Sequence, residues 1–334
     1  MSDMILEFLG GLFGNSTAAE VIIAVLFLVI GFWGLIKGAD IFVDSASQIA
    51  AKLKVPLIVI GLTIVAFGTS APEAAISITS AFQGSAGISV GNVVGSNIMN
   101  ILLILGISAL ICHLPVKKTT FRYEIPFVAV ITAVLLGLGI WNSSLDRIDG
   151  LIFVVLFAVF MGYLIKLSKS GDSSAADDVP DIDENASIPK MIIFVMLGLA
   201  MVVLGSDFTV SGATKIAEIM GLDDRIIGLT VVAFGTSLPE LVTCIQAARK
   251  QKVDIAIGNI IGSNIFNILF VIGISSLVSP QPIAFSSTFI IDAVVAIAAA
   301  VLLWLLTLKN KRISRLGGGI MLLCYAGYFV YLFV

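Results

Sequence analysis

The sequence predicts an all-α membrane protein: ten transmembrane helices, arranged as two inverted five-helix repeats. Three observations lead there. Hydrophobic residues fill 58% of the 334 positions and charged residues 12%, with a mean hydropathy of +1.10, whereas soluble domains carry about 25% charged residues. The stretch from Ile60 to Leu110 returns almost residue for residue as Ile227 to Leu277, at a constant shift of 167 positions that is half the chain. Each half holds an odd number of apolar runs, so the second must enter the bilayer from the opposite side.

The apolar runs fall at about 18–44, 56–82, 87–112, 121–141, 147–168, 190–214, 223–248, 254–279, 284–308 and 315–334. A helix needs roughly 20 residues to cross the hydrocarbon core, and no run shows the ten-residue alternation of a barrel strand. The first repeat is expected over 1–167, an acidic cytoplasmic linker over 168–189, and the second repeat over 190–334. Asp3 and Glu7 precede the first basic residue, Lys37, so the first run reads as a retained span rather than a signal peptide.

Placing both termini outside puts 15 of the 19 basic residues into cytoplasmic connections, including Lys52, Lys54, Lys117, Arg249, Lys250 and Lys252. That follows the positive-inside rule and implies a multi-pass protein of the plasma or inner membrane. The linker carries Asp172, Asp177, Asp178, Asp181, Asp183 and Glu184; without the glycine of an EF-hand turn it reads as a solvated tether rather than a calcium sensor. A net charge of −3 gives no case for nucleic acid. Cys112, Cys244 and Cys324 stand singly in apolar surroundings and read as small buried hydrophobes, and His113, the one histidine, as a loop residue.

Two motifs recur in the duplicated stretch. Ala-Phe-Gly-Thr-Ser-x-Pro-Glu ends at Glu73 and at Glu240, and Gly-Asn-x-x-Gly-Ser-Asn-Ile-x-Asn ends at Asn100 and at Asn267. Both glutamates fall near the middle of apolar spans, where an ionisable group costs about 2.5–3.5 kcal/mol to insert, so a symmetric pair argues for function over packing. Thr69 and Ser70 precede Glu73 by four and three residues, and Thr236 and Ser237 precede Glu240 likewise. On a continuous helix they would share a face with the carboxylate.

Pro72 and Pro239 lack an N–H and should break or kink each helix, freeing carbonyls near Gly68 and Gly235. In the following span Asn92, Ser96 and Asn100 recur every fourth residue, matched by Asn259, Ser263 and Asn267. They form a polar stripe that either lines a site or glues helices together, Asn92 and Asn259 fitting the second role better. Gly91 with Gly95, and Gly258 with Gly262, permit close helix approach. Carboxylate, hydroxyl, amide and carbonyl oxygens without imidazole or thiolate suit hard cations such as calcium, and sodium in turn. Asp40 and Asp207, equivalent at the 167 shift, with Asp44 beside the first, read as a helix end or ion entrance, or as a solvated boundary; Asp292 reads as structural.

At these two motifs the chain resembles the calcium/cation antiporter superfamily, in particular the prokaryotic sodium/calcium exchangers. The resemblance implies a central ion site whose ligands would be the Ala66 carbonyl, Thr69, Ser70, Glu73, Ser96 and Asn100 from one half. From the other half would come the Ala233 carbonyl, Thr236, Ser237, Glu240, Ser263 and Asn267. It also implies that the first and sixth helices slide across that site. Several exchangers, potassium-dependent ones among them, have Asp where this chain has Asn267, so the site here has two acidic ligands.

The expected function is sodium/calcium antiport by alternating access, with Ca2+ and Na+ as transiently bound cargo, the lipid bilayer as surroundings, and no cofactor or obligate protein partner. Calcium/proton exchange on the same carboxylates is the alternative; a passive cation channel is a third reading. An intramembrane hydrolase built on Ser70 and Glu73 lacks a base and an oxyanion arrangement, so no enzymatic activity is expected.

Overall fold

The computed structural model describes residues 4–5, 17–84, 86–169, 187–221 and 233–332. It is built of helices: α1 Thr17–Leu53, α2 Leu57–Thr69, α3 Ala71–Phe82, α4 Gly87–Ile111, α5 Thr120–Trp141, α6 Arg147–Lys169 and α7 Ile188–Ile219. There follow α8 Ala233–Thr236, α9 Leu238–Arg249, α10 Val253–Val278, α11 Thr288–Thr307 and α12 Arg315–Tyr331. Among the described residues, seven helices are long and apolar enough to cross a membrane, and eight if the bent pair α2 and α3 counts as one span. Of the remaining expected spans, α12 has 17 residues, and much of 223–248, like the acidic linker, lies outside the described residues.

The first helix corrects the expected boundary. It runs to Leu53 and so spans 37 residues, about 55 Å at 1.5 Å per residue. Nothing in Asp44–Leu53 breaks a helix; the stop comes at Lys54, with φ +54°, just ahead of Val55 and Pro56. Lys52 therefore belongs to the helix. The equivalent stop after α7 is Gly221, at φ +76° and 167 residues from Lys54. Gly84 and Gln251, at φ +83° and +59°, repeat the same correspondence after α3 and α9.

The helices carrying the polar stripes are the centre of the molecule. In α10, 94% of the most apolar window is buried, and in α4, 72%, against 28–39% for the other long spans. The outer helices present apolar faces such as Ile22, Leu26, Val29 and Trp33 of α1, as lipid-facing surfaces do. Cys244 is buried as expected, but Cys324 lies exposed on the outward side of α12, because the apolar solvent there is lipid rather than protein.

α1 and α7 pack along a seam of glycines. A Cβ on Gly38 would come within 2.7 Å of Met201 Cβ, one on Gly198 within 2.7 Å of Phe42 N, and one on Gly205 within 2.7 Å of Gly31 O. Backbones this close gain dispersion that larger side chains would prevent. Two short antiparallel ribbons tie helix ends together. β1 Leu114–Pro115 pairs with β4 Arg312–Ile313, and β2 Ser144–Leu145 with β3 Ile283–Ala284. Each ribbon joins one strand from each half of the chain.

Candidate ion-binding site

Two broken helices deliver the carboxylates. The axes of α2 and α3 differ by 53° across a break at Ser70, whose φ −84° and ψ +9° leave the helical well. Ser237, at φ −92° and ψ +5°, makes the same break before α9. Pro72 and Pro239 occupy the first turns of α3 and α9, where a missing N–H removes no helical bond. Glu73 and Glu240 thus sit in the first turn of a new helix, where the dipole favours a negative charge. The kink expected from sequence is present, and at Gly235 the freed carbonyl is taken up by Ser206 Oγ of α7 at 2.7 Å.

The break changes who serves whom. On one continuous helix Ser70 would face Glu73; instead its hydroxyl donates to Glu240 Oε1 at 2.8 Å. Ser237 likewise donates to Glu73 Oε1 at 3.3 Å. The hydroxyls converge on carboxylates as expected, but each serine serves the glutamate of the other half. Ser96 of α4 joins them, 3.3 Å from Glu73 Oε1 and 3.0 Å from Ser237 Oγ. Both glutamates are 1% exposed, and each keeps one buried oxygen, Oε2, with no hydrogen-bond partner. A buried carboxylate oxygen left open costs free energy unless something positive meets it.

Thr69 and Ser263 each meet an oxygen of the other half. Thr69 Oγ1 lies 3.1 Å from the Val65 carbonyl, 3.3 Å from that of Ala66 and 3.0 Å from Asn259 Oδ1. Ser263 Oγ approaches the Ala66 carbonyl at 3.5 Å, and Thr236 is half-buried beside Ser237. Ala233 opens α8 at the edge of the described residues. Asn92 donates to Ser77 Oγ at 2.9 Å and to the Glu73 carbonyl at 3.4 Å, the bonding of a helix-to-helix tie. Asn100 and Asn267 each open a wider π-helical turn, Asn100–Ile104 and Asn267–Ile272, a feature common at functional sites. Their Oδ1 atoms are buried and without partners.

The described residues contain no group of three or more His, Cys, Asp or Glu placed to hold a metal. Two carboxylates supplemented by neutral oxygens are instead what converges here, a donor set for a hard cation.

Three features were not anticipated. Asn97 and Asn264 lie within the second motif but off the every-fourth-residue stripe; both are buried, and each donates to the other's main-chain carbonyl, at 3.1 and 3.2 Å. The signal was their equivalence at the 167 shift. Glu124, 1% exposed, accepts from Tyr163 and leaves Oε2 unpartnered, a second kind of buried acid well away from the motifs. Asp40 and Asp44 are ion-paired, with Lys250 Nζ 2.5 Å from Asp40 and 2.6 Å from Asp44, and Lys252 Nζ 2.7 Å from Asp44. Partial burial disfavours the Lys250 ammonium, but its bonds to Asp40 and Asp44 outweigh that and hold its pKa above the ordinary lysine value. Asp292, read as structural from the sequence, accepts from Tyr328 at 3.0 Å, a bond between α11 and α12.

Comparison with known proteins identifies the family and the fold. The family model described as sodium/calcium exchanger protein matches residues 23–166 and 190–334. The putative antiporter CaxA of Alkalimonas amylolytica is 40% identical, covering 93% of this chain and 99% of that protein. The sodium/calcium exchanger MaX1 of Methanosarcina acetivorans is 35% identical over 92% of this chain and 98% of its own length. Among solved structures, the sodium-calcium exchanger NCX_Mj soaked with zero Na+ and Ca2+ superposes with a TM-score of 0.81 at 32% identity, covering 93% of this chain and 99% of that one. The chain belongs to the sodium/calcium exchanger protein family and is a membrane protein built for cation antiport.

Proposed function

We propose that this protein exchanges Na+ for Ca2+ by alternating access at the Glu73–Glu240 site. The observation that carries the reading is a set of four buried oxygens without partners, Glu73 Oε2, Glu240 Oε2, Asn100 Oδ1 and Asn267 Oδ1, contributed equally by the two halves. Two carboxylates balance one divalent ion or two monovalent ones, so calcium and sodium compete for the same oxygens and cannot leave the site uncompensated. The hydroxyls of Thr69, Ser70, Ser96, Thr236, Ser237 and Ser263 and the carbonyls of Ala66 and Ala233 are the neutral ligands of this scheme.

Ten spans in two inverted halves are part of the proposal. Paired ribbon strands lie at one face of the bilayer, so an even number of crossings must separate them. Between β2 and β3 the chain passes through α6, α7 and α10, three spanning helices. The segment that ends in α9 supplies the fourth crossing. The same parity holds from β1 to β4, and from Asp44 in the last third of α1 to Lys250 just past the end of α9. The glycine seam joins α1 and α7 into one unit, which slides as a body over the site to expose it to either side.

Reconstituted into liposomes, the full chain is expected to take up Ca2+ when a Na+ gradient is imposed and to stop when it is dissipated. Uptake driven by a pH gradient in sodium-free medium, with none driven by Na+, would overturn the sodium coupling in favour of proton exchange.

A further inference from the structure

The side-chain bonds of Asn97 and Asn264 go to asparagines and not to the glutamates, yet they determine which way two site amides face. We infer that this pair positions the ion-binding carbonyl groups of Asn100 and Asn267 across the contact between the two halves; the inference rests on the exchange reading of the site. All four side chains are at most 2% exposed, so water does not compete for their hydrogen bonds.

The chain of bonds begins at main-chain carbonyls, which only accept. Asn97 Nδ2 donates to the Asn264 carbonyl at 3.1 Å, and Asn264 Nδ2 to the Asn97 carbonyl at 3.2 Å. With each Nδ2 so committed, each Oδ1 faces the neighbouring amide and accepts from it. Asn264 Oδ1 receives Asn100 Nδ2 at 3.0 Å, and Asn97 Oδ1 receives Asn267 Nδ2 at 3.1 Å. That leaves Asn100 Oδ1 and Asn267 Oδ1 turned away from the asparagine pair and free of partners. They lie one helical turn beyond Ser96 and Ser263, on the same faces.

An amide that flips offers a cation its N–H2 group instead of its carbonyl, which turns attraction into repulsion. A flip of Asn100 alone would set its Oδ1 against Asn264 Oδ1, and if Asn264 flipped with it, Asn264 Oδ1 would face the Asn97 main-chain carbonyl; either way two acceptors face each other in a buried place. The network is also specific for the amide at 267. An aspartate there would set its carboxylate against Asn97 Oδ1, acceptor to acceptor, unless Asn97 gave up its bond to the other half. The symmetric, two-carboxylate site and the asparagine pair are thus parts of one arrangement.

The test is a double-mutant cycle read by calorimetric titration of CaCl2 into the purified full chain. Asn97→Leu, which keeps the branching of the side chain at a larger volume and removes both bonds, is expected to weaken Ca2+ binding about tenfold, the lower end of what loss of a ligand's supporting partner costs. In an Asn267→Ala background the same substitution should add nothing further, because the amide it positions is gone. In an Asn100→Ala background it should still weaken binding about tenfold. Unchanged affinity in Asn97→Leu, or a full further loss on top of Asn267→Ala, overturns the positioning role while leaving the exchange reading intact. Wild-type protein that binds no Ca2+ overturns both. Asn97→Ser, shorter and still able to hydrogen-bond but unable to reach Asn267, carries the same expectations if the leucine variant does not fold.

Discussion

Gly262→Ala tests whether the halves meet as closely as the site requires. A Cβ at Gly262 would stand 2.7 Å from Leu62 Cα, Leu62 O and Ala66 Cβ. None of these atoms belongs to a flexible side chain that could swing aside, so the contact must open by about 0.7 Å to reach the 3.4 Å of ordinary contact. Overpacking of this kind costs about 1–3 kcal/mol. The displacement also falls on the site: Ser263, the next residue, approaches the Ala66 carbonyl at 3.5 Å, and separation of α10 from α2 pulls those two oxygens apart. Thermal unfolding of the full chain in detergent should show a midpoint lowered by a few degrees, about 2–4 °C per kcal/mol for a chain of some 150–250 residues and less for a longer one. Sodium-driven Ca2+ uptake by liposomes should fall in parallel. Wild-type melting together with wild-type uptake would refute the argument that this backbone contact fixes the ligand geometry.

Three further outcomes are expected. Glu73→Gln and Glu240→Gln each remove one of two compensating charges while preserving shape, so each should abolish Ca2+ uptake; near-normal flux in either would remove that glutamate from the site. Ser206→Ala leaves the Gly235 carbonyl without its donor and should cost about 1–3 kcal/mol in denaturation experiments, a loss absent if water replaces the hydroxyl. Lys250→Met removes two of the three ion pairs that tie the turn after α9 to Asp40 and Asp44 of α1, contacts of about 0.2–1 kcal/mol each when exposed, and leaves the Lys252–Asp44 pair in place. The 167-shifted positions of Lys250 and Lys252 are Gln83 and Ser85, so no such tie is encoded in the other half. Faster amide hydrogen exchange over the last third of α1 and the turn after α9 is expected, and unchanged exchange would show that the Lys250 pairs do not restrain that region.

Much of this was legible in the chain itself. The constant shift of 167 identified two copies of one design before any helix was placed, and local chemistry did the rest: Pro72 and Pro239 cannot bond back to the preceding turn, so a helix break falls just before each, and intramembrane glutamates demand a reason. The oxygen-only character of the site followed from residue types alone. Helix ends were less legible, as Leu53 shows, because a span's apolar length is set by the bilayer whereas its helix stops only where the backbone is forced out, here at Lys54.

What only the tertiary structure decided is the pairing between halves. Sequence periodicity reports neighbours one turn apart on one helix, so it set Ser70 beside Glu73; the break at Ser70 instead hands that hydroxyl to Glu240, 170 residues away. The asparagine pair was invisible for the same reason, since Asn97 lies off its own helix's stripe and finds its partners 167 and 170 residues on. Asp40 and Asp44 read from sequence as a helix end or ion entrance, or as a solvated boundary; packing brought Lys250 and Lys252 to them from more than 200 residues along the chain. Composition fixes which groups must be satisfied in a medium without water; only the approach of two glycine-lined helices, close enough for backbone to touch backbone, fixes which group satisfies which.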